Sequence, residues 1–191
     1  MGRSFMRGAV LAVVAGLGLV GSAWAQNRDG AWEVRPFGGY VRFGSEAGLK
    51  DSPSFGFSFG YHWTKRNEIE FMYSGTSTHD KATGAFSADL ITAQASYIRN
   101  FFLQHRDKVV AFVEAGTGVV DYSTFGFTLN PDLVGDEQDW MVSFGGGFRF
   151  FGSKKSGLRV DAREVRYTSR AGVSQKFVEF TAGLTLVFGG V

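Results

Sequence analysis

The chain has 191 residues, 20 of them basic and 18 acidic, which leaves room for one domain plus a processed leader and gives no electrostatic case for nucleic acid. It has no cysteine, which excludes a disulfide framework and a thiolate metal site. With 20 Phe and 27 Gly against 3 Pro, and no long apolar run after residue 25, the open classes are a soluble β-sandwich and a membrane barrel.

Arg3 and Arg7, the apolar run Gly8 to Val20 and the small-x-small site Ala23-Trp24-Ala25 predict a cleaved secretory signal peptide over 1–25, with the mature domain over 26–191. The run is shorter than the about 20 residues a permanent membrane helix needs. A retained anchor is the lesser alternative, and a lipoprotein is not expected without a Cys at the cleavage point. Removing Arg3 and Arg7 leaves 18 basic against 18 acidic residues.

Eight strands follow in order. The first, Trp32 to Phe43, loses its alternation near Gly38-Gly39, where a glycine bulge is expected. The second, Ser54 to Trp63, is the clearest: Phe55, Phe57, Phe59, Tyr61 and Trp63 alternate with Ser54, Gly56, Ser58, Gly60 and His62. A period of two with one large aromatic face and one small face marks a strand between two environments. A solvated face seldom needs Gly, which weakens a strand, whereas a narrow barrel interior does.

The third strand, Glu68 to Ser74, turns out Ile69, Phe71 and Tyr73, and the fourth spans Asp89 to Phe102. The fifth, Val109 to Tyr122, points Glu114, Gly116 and Gly118 inward. The sixth, Gln138 to Phe151, sends Trp140, Val142, Phe144, Phe148 and Phe150 outward. The seventh, Leu158 to Tyr167, turns Arg159, Asp161 and Arg163 inward. The eighth alternates Val178, Phe180, Ala182, Leu184, Leu186 and Phe188 with Glu179, Thr181, Gly183 and Thr185. The expected fold is therefore all-β, an eight-stranded antiparallel up-and-down transmembrane β-barrel.

Connections after strands two, four and six are short, while those after the others include long ones, at Thr76 to Gly84 and Ser123 to Glu137. Short turns are expected on the periplasmic side and long loops outside. Trp32, Trp63, Phe101, Phe150 and Phe188 fall at the short-turn ends, and Tyr73, Tyr122, Trp140 and Tyr167 at the other. Two aromatic belts at interface height fit a membrane barrel and not a sandwich.

The terminal stretch Thr181-Ala182-Gly183-Leu184-Thr185-Leu186-Val187-Phe188 resembles the assembly signal of bacterial outer-membrane barrels, with Thr181, Gly183, Leu186 and Phe188 at its fixed positions. Here a Gly189-Gly190-Val191 tail follows. Across Ala31 to Phe188, including Phe112 to Gly118 and Gly157 to Arg163, the chain resembles the small outer-membrane barrels of the OmpA and OmpX types. The resemblance implies insertion by the barrel-assembly machinery, contact with outer-membrane lipid and lipopolysaccharide, and the outer membrane of a Gram-negative-type bacterium. It fixes no activity, and no peptidoglycan-binding domain is expected after the barrel.

Inward charge collects at Glu33, Glu68, Glu70, Glu114, Asp161 and Glu179 against Arg149, Arg159 and Arg163, with Arg35 joining them according to the first-strand bulge. An eight-stranded barrel is barely wide enough for its own side chains, and unpaired charges inside would be costly. The expectation is a structural plug of ion pairs, with Glu70, Glu114, Arg149, Arg159, Asp161, Arg163 and Glu179 as its members, rather than a small-solute pore.

Arg166-Tyr167-Thr168-Ser169-Arg170-Ala171-Gly172 resembles the catalytic stretch of lipid A 3-O-deacylase barrels, which have a His-x-Ser pair and a later glutamate, here Glu179. Arg166 replaces the His and Thr168 the Ser. Arginine is no general base near neutral pH, so no enzyme activity is expected. His62, His79 and His105 do not converge in this topology and are each expected at surface or interface positions. No glycine cluster links a strand to a helix as a phosphate loop requires, and no cofactor is expected. The expected role is structural or surface-interacting, with the loop Ser123 to Glu137 as a candidate contact surface, in a barrel expected to be monomeric because closure leaves no free edge.

Overall fold

The computed structural model describes residues 29–81, 87–103, 108–125, 137–153, 155–168 and 174–190. The expected leader, His105, the side chain of Tyr122 and most of the loop expected at 123–137 lie outside the described residues.

Eight strands run in chain order: β1 (Ala31–Phe43), β2 (Ser52–Thr64), β3 (Asn67–His79), β4 (Ser87–Phe102), β5 (Val109–Phe125), β6 (Glu137–Phe151), β7 (Ser156–Thr168) and β8 (Ser174–Gly189). Each pairs antiparallel with the next, and β8 pairs with β1 to close the barrel. Closure gives every strand a hydrogen-bonded neighbour on both sides, as a lipid-embedded sheet requires.

Two differences from the sequence expectation concern strand ends. β3 continues past Ser74 to His79, paired with β4 down to Ser87. The hydroxyls of its small polar residues are satisfied inside: Thr76 donates to the Pro53 carbonyl at 3.2 Å and Thr78 to that of Lys50 at 2.5 Å. β5 likewise continues to Phe125, paired with Ser87. The apolar pattern fades at these ends, but the ladder does not depend on it.

A third difference is the expected bulge at Gly38-Gly39, which is absent. β1 keeps one register against β2, from Ala31↔His62 to Val41↔Ser52, and its alternation holds throughout. The sequence hides the phase because Phe37 is a large aromatic pointing inward, where it is buried. Room comes from both neighbours, since Phe37 lies opposite Gly56 on β2 and Gly183 on β8. A Cβ at Gly183 would stand 2.7 Å from that of Phe37. Arg35 therefore points inward with its ring neighbour. The register shift that does occur lies between His62 and Thr64.

Inside, side-chain size is matched across the ladder. Arg159 lies opposite Gly183, Asp161 opposite Gly147, Arg163 opposite Gly145 and Glu70 opposite Gly60. Outside, Phe55, Phe57, Phe71, Phe144, Phe148, Phe180 and Phe188 are all exposed, the arrangement expected of a wall solvated by hydrocarbon. Trp32 stacks on Phe59 with centroids 4.9 Å apart, and Trp63 on Tyr97 at 5.9 Å. Tyr167 leaves the expected outer belt: it shares the inward phase of Arg163 and Val165, is buried, and donates to Gln175 at 2.6 Å.

Candidate functional site

The interior has three layers. At the long-loop end Val41, Phe43, Leu90, Val120, Met141, Val165, Tyr167 and Phe177 form an apolar plug, with Ala47 and Leu49 of the first loop packed against it. At the short-turn end Ala31, Val110, Phe151 and Val187 form a second, with Phe102 against it. The charged residues fill the space between.

Arg159 is the hub of this middle layer. It donates to Glu70 through Nη1 at 2.6 Å and Nη2 at 3.2 Å, to Glu114 through Nη2 at 3.0 Å and to Asp161 through Nε at 3.0 Å. Arg35 donates to Asp161 at 2.7 Å, to Thr181 at 3.1 Å and to Ser58 at 3.1 Å, and Ser58 passes a hydrogen bond on to Glu70 at 2.7 Å. Thr181 donates to Asp161 at 2.8 Å. Arg163 pairs with Glu179 at 3.3 Å and with Glu114 at 4.0 Å, and its guanidinium also meets the Met72 sulfur.

Nearer the short-turn end, Arg149 donates to Glu68 at 2.7 Å and to Asn100 at 2.7 Å, and stands 3.6 Å from Glu33. His62 lies between the two glutamates, Nε2 at 3.1 Å from Glu33 and Nδ1 at 3.5 Å from Glu68. Two aromatic rings receive guanidinium faces: Phe112 lies 4.3 Å from Arg159 and 4.9 Å from Arg149, and Phe37 lies 4.7 Å from Arg35. In a desolvated site each such contact is worth about 2 kcal/mol.

The structure thus brings Glu70, Glu114, Arg149, Arg159, Asp161, Arg163 and Glu179 into one network and adds Glu33, Arg35, Glu68 and His62. His62 corrects the expectation of a surface histidine: it is fully buried among charges. Its place on the small face of the second strand was the available signal. The donor atoms of Glu33, His62 and Glu68 lie within 4.8 Å of one another, a spacing able to hold a cation, but Arg149 already supplies the positive charge beside both carboxylates.

Of the residues compared with a deacylase site, Ser169 to Gly172 lie outside the described residues, and the others divide across the wall. Arg166 and Thr168 point outward, whereas Glu179 is buried inside on Arg163. The carboxylate that does meet Arg166 is Glu164, at 2.5 Å on the outer face. Of the assembly-signal residues, Thr181 and Gly183 face the interior, and Leu186 and Phe188 face outward at the short-turn end, with Phe188 opposite Trp32.

The sequence model of the family described as outer membrane protein beta-barrel domain matches residues 9–188. No curated protein matches the sequence. Among solved structures, neisserial surface protein A is 15% identical with a TM-score of 0.67, covering 83% of this chain and 99% of its own. The N-terminal barrel domain of Pseudomonas aeruginosa OprF is 18% identical with a TM-score of 0.54, covering 84% and 99%. The attachment invasion locus protein Ail of Yersinia pestis is 13% identical with a TM-score of 0.50, covering 84% and 99%. At these identities the likeness is one of fold.

Proposed function

Because this chain belongs to the outer membrane protein β-barrel domain family, we propose that it acts as a sealed barrel with a structural and surface-interaction role, and not as a solute channel or an enzyme. It resides in the outer membrane of a Gram-negative bacterium. The short-turn end faces the periplasm and the long-loop end faces outside. Its partners are outer-membrane lipid and lipopolysaccharide, together with the barrel-assembly machinery that reads Thr181, Gly183, Leu186 and Phe188 during insertion.

The observation that carries this reading is the closed charged layer between two apolar plugs. An ion crossing the barrel would have to carry water through both apolar plugs and break the contacts of Arg159 with Glu70, Glu114 and Asp161. The surface role is supported by the ordering of the long-loop end. Lys50 donates its amide to the His79 carbonyl at 2.9 Å, Lys81 donates to Gly48 at 2.7 Å, and Asp51 accepts from the Phe43 amide at 3.1 Å. The connection between β1 and β2 is thereby fastened to the end of β3 as a firm rim, which suits a contact surface. Two of the solved barrels are a surface protein and an attachment protein by name.

Planar-bilayer recordings test the sealed interior: the expected trace lacks steady conductance, and large steady openings would overturn the reading. Lipid A mass spectra from expressing cells are expected to keep their full acyl complement. Deleting residues 126–136 is expected to leave heat-modifiable gel migration intact while reducing adhesion or serum survival.

A further inference from the structure

The outer wall carries a group of polar side chains that the sealed-barrel reading leaves without a task. On β7 and β8, Arg166 lies directly opposite Lys176, and Thr168 directly opposite Ser174. All four point outward and are exposed, so two cations and two hydroxyls share one square of the sheet surface. Like charges directly opposite on a sheet destabilise it. Glu164 neutralises part of this charge through its bond to Arg166 at 2.5 Å. A third cation, Arg42, faces outward on β1. It belongs to the same group because the Gly44 amide donates to the Lys176 carbonyl at 3.1 Å, which places Lys176 beside that end of β1.

Cations on a lipid-facing wall cost about 2–4 kcal/mol at mid-bilayer and only about 0–1 near the interface. Their position near the strand ends therefore marks headgroup level. Two adjoining clefts lead away from them. One of about 240 Å³ is lined by Thr117, Trp140, Arg166, Thr168 and Ser174. The other, of about 500 Å³, shares Thr117 and Trp140 and runs between Phe57, Phe71 and Tyr73 over Ala93 and Ala95. The residues Lys176, Arg166, Val142, Thr117, Ala95 and Phe71 lie opposite one another on successive strands. That line starts close to the end of β7 and finishes well inside β4 and β3, so it descends from the rim into the apolar band.

We propose that this face is a lipid site: Arg166, Lys176, Thr168 and Ser174 hold a phosphoryl group of an outer-leaflet phosphorylated glycolipid, and the aromatic-walled cleft holds one of its acyl chains. Charge complementarity selects an anionic headgroup, and the direct continuation into an apolar cleft selects a lipid over a soluble anion. The assignment rests on the orientation adopted above, with the long-loop end outside.

The test compares wild type, the double variant Arg166→Gln/Lys176→Gln and the cleft variant Ala95→Trp. Each is folded into phosphatidylcholine nanodiscs doped with phosphorylated lipid A, dephosphorylated lipid A or phosphatidylglycerol, and retained lipid is read by native mass spectrometry. Wild type is expected to retain phosphorylated lipid A selectively. Both variants are expected to lose about tenfold of that retention, the scale of 1.4 kcal/mol, and to keep heat-modifiable migration. Equal retention of the dephosphorylated lipid, preference for phosphatidylglycerol, or undiminished retention in either folded variant overturns the site. Failure of the orientation is separately visible: protease added to intact cells would then spare the long loops while lipid retention in nanodiscs persists.

Discussion

Arg159 and Glu70 face each other across the full width of the barrel, from β7 to β3, and meet in a two-bond grip of 2.6 and 3.2 Å. Because both are fully buried, neither can be solvated if the other is removed. Arg159→Met leaves Glu70, Glu114 and Asp161 without their shared donor. Removing one partner of a buried pair costs about 3–5 kcal/mol, so the urea midpoint for folding into vesicles is expected to fall sharply. Glu70→Gln should be milder, since Ser58 still donates there. The double variant is expected to be less damaged than the sum of the singles by about 0.5–3 kcal/mol; strict additivity would show that the two residues are not coupled.

Gly183 and Gly75, on opposite faces of the wall, are expected to respond differently to an added methyl group. An added Cβ at Gly183 meets Pro36 O at 2.5 Å and Phe37 Cβ at 2.7 Å, whereas one at Gly75 meets nothing within 4 Å. Gly183→Ala should therefore destabilise by about 1–3 kcal/mol as overpacking. Gly75→Ala should be neutral or stabilising by about 0.4–1 kcal/mol through the unfolded chain. The same vesicle-folding titration measures both, and equal effects would contradict the packing described inside the barrel.

Trp32, Trp63 and Trp140 are outward-facing, with Trp140 76% exposed. In variants keeping one tryptophan each, brominated lipids should quench all three, and shallow bromines should quench more strongly than deep ones. A tryptophan quenched best by bromines near the chain ends would displace its belt from the interface.

Phe188 contributes to the seam opposite Trp32 and sits at the aromatic position of the proposed assembly signal. Phe188→Ala is expected to lower outer-membrane levels in cells several-fold more than it lowers folding yield in detergent, where loss of one cross-strand pair costs about 0.2–1 kcal/mol. Parallel losses in the two assays would remove the assembly role.

Much of this fold was legible because lipid and lumen impose opposite demands on alternate residues. Ser54 to Trp63 shows both faces without interruption, and Arg159, Asp161 and Arg163 share one phase on β7. Legibility failed where a residue defied the size rule. Phe37 and Tyr167 are aromatic yet inward, and what admits Phe37 is a pair of glycines, Gly56 on the next strand and Gly183 on the last, that only the closed register places beside it. Hydrophobic pattern also says nothing about Gly75 to His79, whose pairing is held by backbone and hydroxyl bonds. The ion network was legible as a set of inward charges, but its partners were not. Which glutamate Arg159 meets depends on strand tilt across the lumen, a property of closure and not of any one segment. The outer polar square was hidden for a similar reason, because Arg166 and Lys176 become neighbours only through the β7–β8 register.

The seam between β1 and β8 sets the order in which this protein can come into being. Ala31 opposite Gly189 joins the first described strand to the last, so this ladder forms only after all eight described strands have been translocated. Until then the growing sheet has two raw margins and an aromatic outer face in water. Such a nascent chain is prone to stick to its neighbours for the whole of its transit, and becomes harmless only when the seam closes.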